Sequence, residues 1–499
     1  MLPNLKKLEV WFLTGSQHLY GDDVLKQVAA HSREIISSIN LSGQIPVKII
    51  ARQTLTTPEL IYQVCLEANS SSGCIGVILW MHTFSPAKMW IRGLKILQKP
   101  LLHFHTQFNA EIPWEVIDMD FMNLNQSAHG DREFAHICAR LNLKRKIIAG
   151  HWKDKSCLKQ IGIWTRAAIA RYDLDGARIG RLGDNMRYVA VTEGDKVEAE
   201  IKLGFSTNGY GISELAELIT KITNARAEKL VYEYLDEYQV VRELKKGGPK
   251  YSSLVYAARI ELGLRTFLKK ENLVGFTDTF EDLHGLEQLP GIAVQRLMRD
   301  GYGFGAEGDW KTAALVRAMK VMSCGLEGGN SFMEDYTYNF TSVENQVLGA
   351  HMLEICESLA ESKPSCEIHP LSIGGKSDPV RLVFNVGAGK AVNASLIDTG
   401  SRFRMLVNKV ELRKPEKALP KLPVARAVWK PLPDLKTSAT AWLMAGGSHH
   451  TCLSKALEVE HLMDFCEMMN IELLVIDEST NLVNFHNELR WNDKSFEEK

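Results

Sequence analysis

Glu307, Glu334, His351 and His450 are the residues whose types and surroundings best fit shared chemistry. Two carboxylates offset the charge of a divalent ion and two neutral imidazoles complete a mixed oxygen and nitrogen donor set, which suits Mn²⁺, Co²⁺ or Zn²⁺. Glu307 lies in Gly303-Phe304-Gly305-Ala306-Glu307-Gly308-Asp309-Trp310, where glycines let the backbone approach a ligand and leave the carboxylate free to point inward. Glu334, in Met333-Glu334-Asp335-Tyr336, has no such local mark, and a single acid is more often a surface residue. His351 is expected on the buried face of a helix starting near Thr341 with a capping-box pattern, Thr341 to Glu344, because Val347, Leu348, His351 and Ile355 recur at helical spacing. A buried histidine needs only a hydrogen-bond partner, so taken alone His351 reads as core more readily than as a ligand. His450 is one of a pair in Ala445-Gly446-Gly447-Ser448-His449-His450-Thr451, after the apolar run Ala441 to Ala445. That pattern reads as a strand ending at Gly-Gly, followed by either a site loop or a polar turn.

The elements that must position these groups are legible in outline. Residues 8–150 alternate apolar runs with amphipathic stretches: Leu8 to Leu13, a helix from Asp22, Val47 to Ile50, a helix after Thr57, Cys74 to Trp80, a helix after Ser85, and Leu101 to Phe104. This rhythm predicts a parallel, doubly wound sheet with ligand-facing loops at the carboxyl ends of its strands, Gly15 to Gly21 among them. A second α/β block is expected from Arg178, with strands at Arg187 to Thr192 and Val197 to Phe205, helices at Ile212 to Tyr234 and Ser252 to Lys270, and a strand at Leu273 to Thr277. Beyond residue 365 the texture changes to short strands, Val380 to Val386, Ala391 to Ile397 and Arg402 to Leu412, which predict a β-barrel or sandwich. A proline-rich connection, Pro420 to Pro433, then leads to the histidine pair, a helix from Ser454 and the apolar run Ile471 to Ile476.

Composition narrows the classes of function. A chain of 499 residues with 45% apolar content can form two to four domains. Its 59 basic and 60 acidic residues leave no surplus for nucleic acid, and no run of 18 apolar residues offers a membrane span. The nine cysteines are scattered without a CxxC pair, which points to reduced thiols, and the start carries no signal-peptide pattern. A soluble, cytoplasmic protein acting on a small molecule is expected.

Two nucleotide motifs fail on context. Gly303, Gly305 and Gly308 satisfy G-x-G-x-x-G, but Ala293 to Asp300 before them reads as a helix, and Glu307 inside the motif would repel a pyrophosphate. Gly375-Lys376-Ser377 resembles the end of a phosphate loop, yet Pro370 stands where its first glycine is required.

Seven stretches carry a further signal: Gly15 to Gly21, Asn123 to Gly130, Gly183 to Arg187, Thr279 to Gly285, Glu307 to Thr312, Phe332 to Tyr336 and Gly446 to Thr451. In this order, and followed by Glu488-Leu489-Arg490-Trp491-Asn492, they resemble the signature stretches of the L-arabinose isomerase family across essentially the whole chain. The resemblance implies two open doubly wound parallel-sheet α/β domains, residues 1–176 and 177–330, followed by a β-rich, barrel-like domain, residues 331–499. It implies conversion of L-arabinose to L-ribulose, with D-galactose to D-tagatose as a side activity, by a Mn²⁺-dependent enzyme with one ion per subunit, commonly a homohexamer. Glu307, Glu334, His351 and His450 match the family's metal ligands, and Glu307 and Glu334 its proton-moving pair. Gln17, Leu19, Tyr20, Met186, Phe280, Ile373 and His449 match sugar-pocket positions, while Gln126 and His129 match residues supplied across a subunit interface. The chain departs from the family pattern at Asp131, Glu357 and Ser448 and in the order Gly305-Ala306, and Asp131 is expected to add negative charge near the interface pocket.

The chemistry asks for this constellation. Moving a carbonyl from C1 to C2 removes a proton from C2, returns one to C1 and shifts another between the oxygens, work that two carboxylates can divide. The readings from other classes are a sugar-binding or regulatory protein without chemistry, which leaves the carboxylate pair idle, and a metal-dependent hydrolase using the same four ligands.

Overall fold

The apolar runs of the first third pair as parallel strands in a computed structural model that describes residues 2–340, 345–371 and 375–497. The chain divides into two compact units, one made of Pro3–Tyr172 with Glu460–Met468, the other of Met1–Leu2, Asp173–Val459 and Met469–Lys499.

In the first unit, strands β1 (Glu9–Gly15), β2 (Lys48–Ala51), β3 (Cys74–Met81), β4 (Leu101–His105) and β5 (Lys146–Ala149) form a sheet of order β2-β1-β3-β4-β5. β3 is buried along its whole length, as expected of a central strand covered on both faces. The helix Asp22–Leu41 turns Val28, Ser32, Ile35, Ile36 and Ile39 inward at three- and four-residue spacing. Thr57 caps the helix Pro58–Ser70 by accepting from the Leu60 N–H, and Pro58 occupies the first turn, where its missing donor costs nothing. Chain order reverses between β1 and β3, so the crevice at their carboxyl ends is the natural ligand site of this sheet.

The second unit opens with a parallel sheet of order β10-β9-β6-β7, built from β6 (Arg178–Leu182), β7 (Ser206–Tyr210), β9 (Gly275–Asp278) and β10 (Gly303–Ala306). Three expectations fail here. Arg187 to Thr192 forms only a short 3-10 turn at Ala190–Thr192, and the Val197 to Phe205 strand is instead a helix, Lys196–Leu203. Asp195 caps that helix by accepting from Val197 N and Glu198 N, and its Val197 and Ile201 are solvent-facing apolar residues that mimic a strand pattern. The single helix Ile212 to Tyr234 is two, Ile212–Thr220 and Asn224–Glu237, separated where Thr223 caps the second. As expected, a helix, Gly291–Arg299, precedes the glycine motif.

The β-rich part is a closed barrel. Strands β11 (Asn330–Asn339), β12 (Gln346–Ala350), β15 (Gly389–Asp398), β16 (Phe403–Arg413), β17 (Arg426–Pro431) and β18 (His450–Ser454) pair antiparallel in the ring β15-β18-β11-β12-β17-β16, which β15 and β16 close. Closure removes free edges from the ring, and β19 (Glu472–Ile476) adds parallel to β16. A small sheet of β8 (Gln239–Val240), β13 (Ser365–Ile368) and β14 (Val380–Val383) lies in the same unit. Met333, Val347, Val410, Leu412, Trp429 and Leu453 from the ring share one apolar core with Leu230, Leu254 and Ile292 from the helices. The helix expected around His351 is β12 instead, ended by a turn; its capping box, Thr341 to Glu344, lies outside the described residues. Ala441 to Ala445 closes the helix Leu435–Met444, capped by Asp434, rather than forming a strand, and the helix expected from Ser454 begins at Val459.

Candidate active site

Barrel register brings three of the four acidic and histidine candidates together. Glu334 on β11 is the direct partner of His450 on β18 and, on its other side, of Ala350 on β12, the residue before His351. Cross-strand partners have their side chains side by side, so residues separated by more than 100 positions become neighbours. His450 Nε2 is 3.3 Å and His351 Nε2 is 3.4 Å from the same Glu334 Oε1. Glu307 follows β10 at the carboxyl end of the central sheet, and its Oε2 is 3.6 Å from His450 Nε2.

Local backbone explains the Glu307 turn. Glu307 has φ 61° and Gly308 φ 87°, and a Cβ on Gly308 would stand 2.5 Å from Asn185 Cα, so only glycine fits there. Met186, a sugar-pocket candidate, donates its N–H to the Glu307 carbonyl at 2.9 Å, tying the Gly183 to Arg187 stretch to this turn. A Cβ on Gly305 would meet the Asp309 carbonyl at 2.2 Å, so this glycine serves close packing of the helix Trp310–Met322.

Both buried imidazoles are oriented by a carboxylate that the sequence reading left without a role. His450 Nδ1 bonds Asp309 Oδ2 at 3.0 Å, and His351 Nδ1 bonds Glu354 Oε2. Each bond takes up Nδ1 and leaves Nε2 facing Glu334. Asp309 also caps the helix Trp310–Met322 through the Lys311 and Thr312 N–H groups and pairs with Lys311 Nζ at 3.1 Å. Ser448 Oγ accepts from His450 N at 2.9 Å, giving this departure from the family pattern a role in fixing the start of β18. The local signal that could have found Asp309 and Glu354 is an acid within reach of each histidine-bearing turn.

The electrostatics are those of a cation site. Burial opposes charge on His450, yet its bonds to Asp309, Glu307 and Glu334 hold it well above the ordinary histidine range. Burial likewise opposes charge on His351, and Glu334 with Glu354 pushes it up to about 9. Glu334 stays below the usual carboxylate range because His351 and His450 outweigh its burial. His450 Nε2 and Glu334 Oε1 are both buried and face each other at 3.3 Å. Beside them a cavity of about 20 Å³, room for one water-sized particle, is lined by Asp278, Phe280, Glu307, His351 and Glu354 among others. Burial lifts Asp278 to about 7, a further acid that sequence reasoning missed.

The remaining candidates fall into two sets. A Glu307 carboxylate oxygen and a ring nitrogen from each of His449 and His450 lie within 4.8 Å of one another, a grouping that admits His449 in place of Glu334 and His351. His449 is the exposed member of the pair. His450 is buried, with Nδ1 on Asp309 and Nε2 facing Glu307 and Glu334. Ile373 lies outside the described residues.

Gln17, Leu19, Tyr20, Gln126 and His129 belong to the first unit and gather around the carboxyl ends of β1 and β3. Gln126 Nε2 donates to Tyr20 Oη at 3.3 Å, Gln17 Nε2 donates to the Phe84 carbonyl at 3.0 Å, and His129 stacks on Phe84 with centroids 4.7 Å apart. Leu19 is 83% exposed, an apolar side chain left uncovered. Phe84 is the organiser that the sequence reading did not single out. The charge expected near this pocket from Asp131 is turned away from solvent: Asp131 is buried and bonded by His103 and His105.

Comparison with known proteins gives the same order of parts. Family models for the L-arabinose isomerase N-terminal, central and C-terminal domains match residues 4–176, 178–325 and 329–472. The L-arabinose isomerase of Herpetosiphon aurantiacus is 58% identical over 490 residues, covering 98% of both chains. Those of Flavobacterium johnsoniae and Geobacillus stearothermophilus are 57% and 56% identical, covering 99% and 98% of this chain and 98% of each relative. Among solved structures, a glucose-galactose binding protein from Geobacillus stearothermophilus matches 63% of this chain and 90% of its own with 10% identity and a TM-score of 0.16, too low to carry any argument. On three consecutive domains and more than half of its residues, the chain belongs to the L-arabinose isomerase family.

Proposed function

We propose that this chain interconverts L-arabinose and L-ribulose by proton transfer through a cis-enediol, with Glu307 and Glu334 dividing the acid and base roles. The observation that carries this reading is the convergence of Glu307, Glu334, His351 and His450, with both imidazoles held by Asp309 and Glu354. One carboxylate takes the C2 proton and delivers a proton to C1, while the other moves a proton between O2 and O1. Glu334 suits the base role because the neighbouring histidines keep it ionised.

The same four side chains fit one divalent ion per subunit, with Mn²⁺ the proposed occupant and Co²⁺ an acceptable substitute, because paired carboxylates and Nε2-presenting imidazoles satisfy its charge and donor needs. When bound, such an ion supplies Lewis-acid stabilisation of the developing sugar oxyanion. The protein's own share is to fix the donors before the sugar arrives, which removes reorganisation from the reaction step.

Gln17, Leu19, Tyr20, Met186, Phe280, Ile373 and His449 are proposed to line the sugar site, and Gln126 and His129 to complete it from a neighbouring subunit of a homohexamer. Slower conversion of D-galactose to D-tagatose, cytoplasmic location and domain limits near residues 176 and 330 belong to the same reading. No described helix is long and apolar enough to cross a membrane. The test is an L-arabinose assay run with and without chelator in D₂O. Chelator-sensitive ribulose carrying deuterium at C1 supports proton transfer; full retention of the C2 hydrogen at C1 favours a hydride shift, and binding without turnover returns the sugar-binding reading.

A further inference from the structure

Lys311 sits where a lysine is doubly disfavoured. It lies in the first turn of the helix Trp310–Met322, whose aligned peptide dipoles oppose a cation there, and it is 1% exposed, where an ammonium is costly unless its donors are met. Departures of this kind from local preference concentrate at functional positions.

Its three donors meet three acceptors in two places. Nζ donates to Asp309 Oδ1 at 3.1 Å, and to the carbonyls of Val191 and Glu193 at 3.0 and 2.7 Å. On the first side, Asp309 Oδ1 also accepts from the Lys311 and Thr312 N–H groups at 3.2 and 3.3 Å. With Oδ1 filled, Oδ2 is the oxygen turned to His450 Nδ1.

On the second side lies the loop from Gly183 to Glu193, which carries the sugar-pocket candidate Met186. Its start is held by the Met186 N–H on the Glu307 carbonyl at 2.9 Å, and Asn185 Nδ2 donates to the carbonyls of Thr192 at 2.6 Å and Gly308 at 3.3 Å. Lys311 holds its end. Between these anchors Tyr188 has φ 66°, a left-handed conformation that a non-glycine residue keeps only where its surroundings impose it. Loss of the Lys311 bonds frees the end of the loop, and the stored strain then favours movement at Met186.

We propose that Lys311 is a positioning residue for the isomerisation, a single ammonium that fixes both the Asp309 oxygen offered to His450 and the loop that carries Met186. With its donors taken inside the protein, it acts on ion and sugar only through these two partners. The inference rests on the assignment of His450 and Met186 under the proposed function.

Lys311→Met keeps the length of the side chain and removes the charge. Calorimetric titration of the chelator-stripped full chain with Mn²⁺ reads the first arm, and the KM for L-arabinose at saturating Mn²⁺ reads the second. Mn²⁺ affinity is expected to fall about tenfold, the low end for partners that orient ligating histidines, and KM to rise about three- to tenfold. A merely structural lysine would instead lower the thermal midpoint and leave both values at the parent's. Combining Lys311→Met with Asp309→Asn separates the arms. The Mn²⁺ losses are expected not to multiply, because the lysine acts there through the aspartate, whereas the rise in KM, which runs through the loop, is added in full. Where Lys311→Met does not fold, Lys311→Gln, which retains a donor, is measured in its place with the same expectations. A folded Lys311 variant with parental Mn²⁺ affinity and KM overturns the proposal, and so do Mn²⁺ losses that multiply in the double variant. A parent chain that neither binds Mn²⁺ nor isomerises L-arabinose overturns the proposed function itself, a failure seen before any substitution is made.

Discussion

The two residue clusters that the family resemblance assigns to one reaction are built on opposite physical plans. In the barrel, charge is concentrated: four carboxylates, Glu307, Asp309, Glu334 and Glu354, surround two buried histidines. At the β1 and β3 ends, Gln17, Tyr20, Gln126 and His129 are joined by neutral amide and hydroxyl hydrogen bonds and one ring stack. The first cluster must be rigid and pre-charged, because the cost of gathering acids is met by folding and the reacting geometry is then fixed in advance. The second needs only to match hydroxyl groups, each hydrogen bond being worth about 1 kcal/mol net. Chemistry is expected to fail when the first is disturbed and affinity when the second is.

The largest effect should follow from removing both acids. Glu307→Ala with Glu334→Ala should abolish divalent-ion binding and lower turnover by about 10³-fold or more, read by metal analysis and an L-arabinose assay. Full metal occupancy in that double variant would break the donor assignment.

A buried carboxylate without chemistry provides the contrast. Glu472, on β19, is bonded by Arg402 Nε at 2.6 Å and Arg404 Nε at 2.8 Å, and these partners outweigh burial to hold it below the usual carboxylate range. Glu472→Gln should cost about 2 kcal/mol of stability at neutral pH, since it removes the buried charge that Arg402 and Arg404 share and leaves them Asp493 and the Ala445 carbonyl. A depressed folded-state pKa contributes stability above the unfolded value of about 4.3 and loses it as pH falls through the folded one. The gap between variant and parent in urea unfolding should therefore close under acid, with metal content unchanged.

Smaller losses should follow from loosening the imidazoles. Asp309→Asn and Glu354→Gln are each expected to weaken metal binding or turnover about 10- to 100-fold, the range for partners that orient ligating histidines. The smallest belong to the neutral cluster: Tyr20→Phe and Gln126→Ala should raise KM about three- to tenfold with little change in kcat. A fall in kcat as large as that of Asp309→Asn would erase the distinction between the regions. Mixing inactive Glu307→Ala chains with His129→Ala chains, assayed at an L-arabinose concentration well below the raised KM of the latter, sharpens it further, since recovered activity shows that the two residues act from different subunits.

Four of the five strands of the first unit's sheet were legible because they announce themselves locally: β1, β3 and the helix Asp22–Leu41 fall where apolar run and amphipathic period place them, whereas the short β5, Lys146–Ala149, half exposed, leaves no such signal. Around His351 the local signal misleads. Val347, Leu348 and His351 sit at helical spacing by accident of a strand, β12, whose Val347, Gly349 and Ala350 are buried before a turn. The barrel's closure and the pairing of Glu334 with His450 depend on partners far apart in sequence, which leave no periodic trace. The residues of the cluster could be named from motif context and family resemblance, but the orienting roles of Asp309 and Glu354 required coordinates.

Glu334→Gln tests the central claim most directly. The substitution preserves size and one oxygen donor but removes the base, so the account predicts a variant that retains its divalent ion while kcat on L-arabinose falls by about 10²- to 10⁴-fold. A metal-loaded Glu334→Gln enzyme that isomerises at close to the parent rate would contradict the two-carboxylate mechanism.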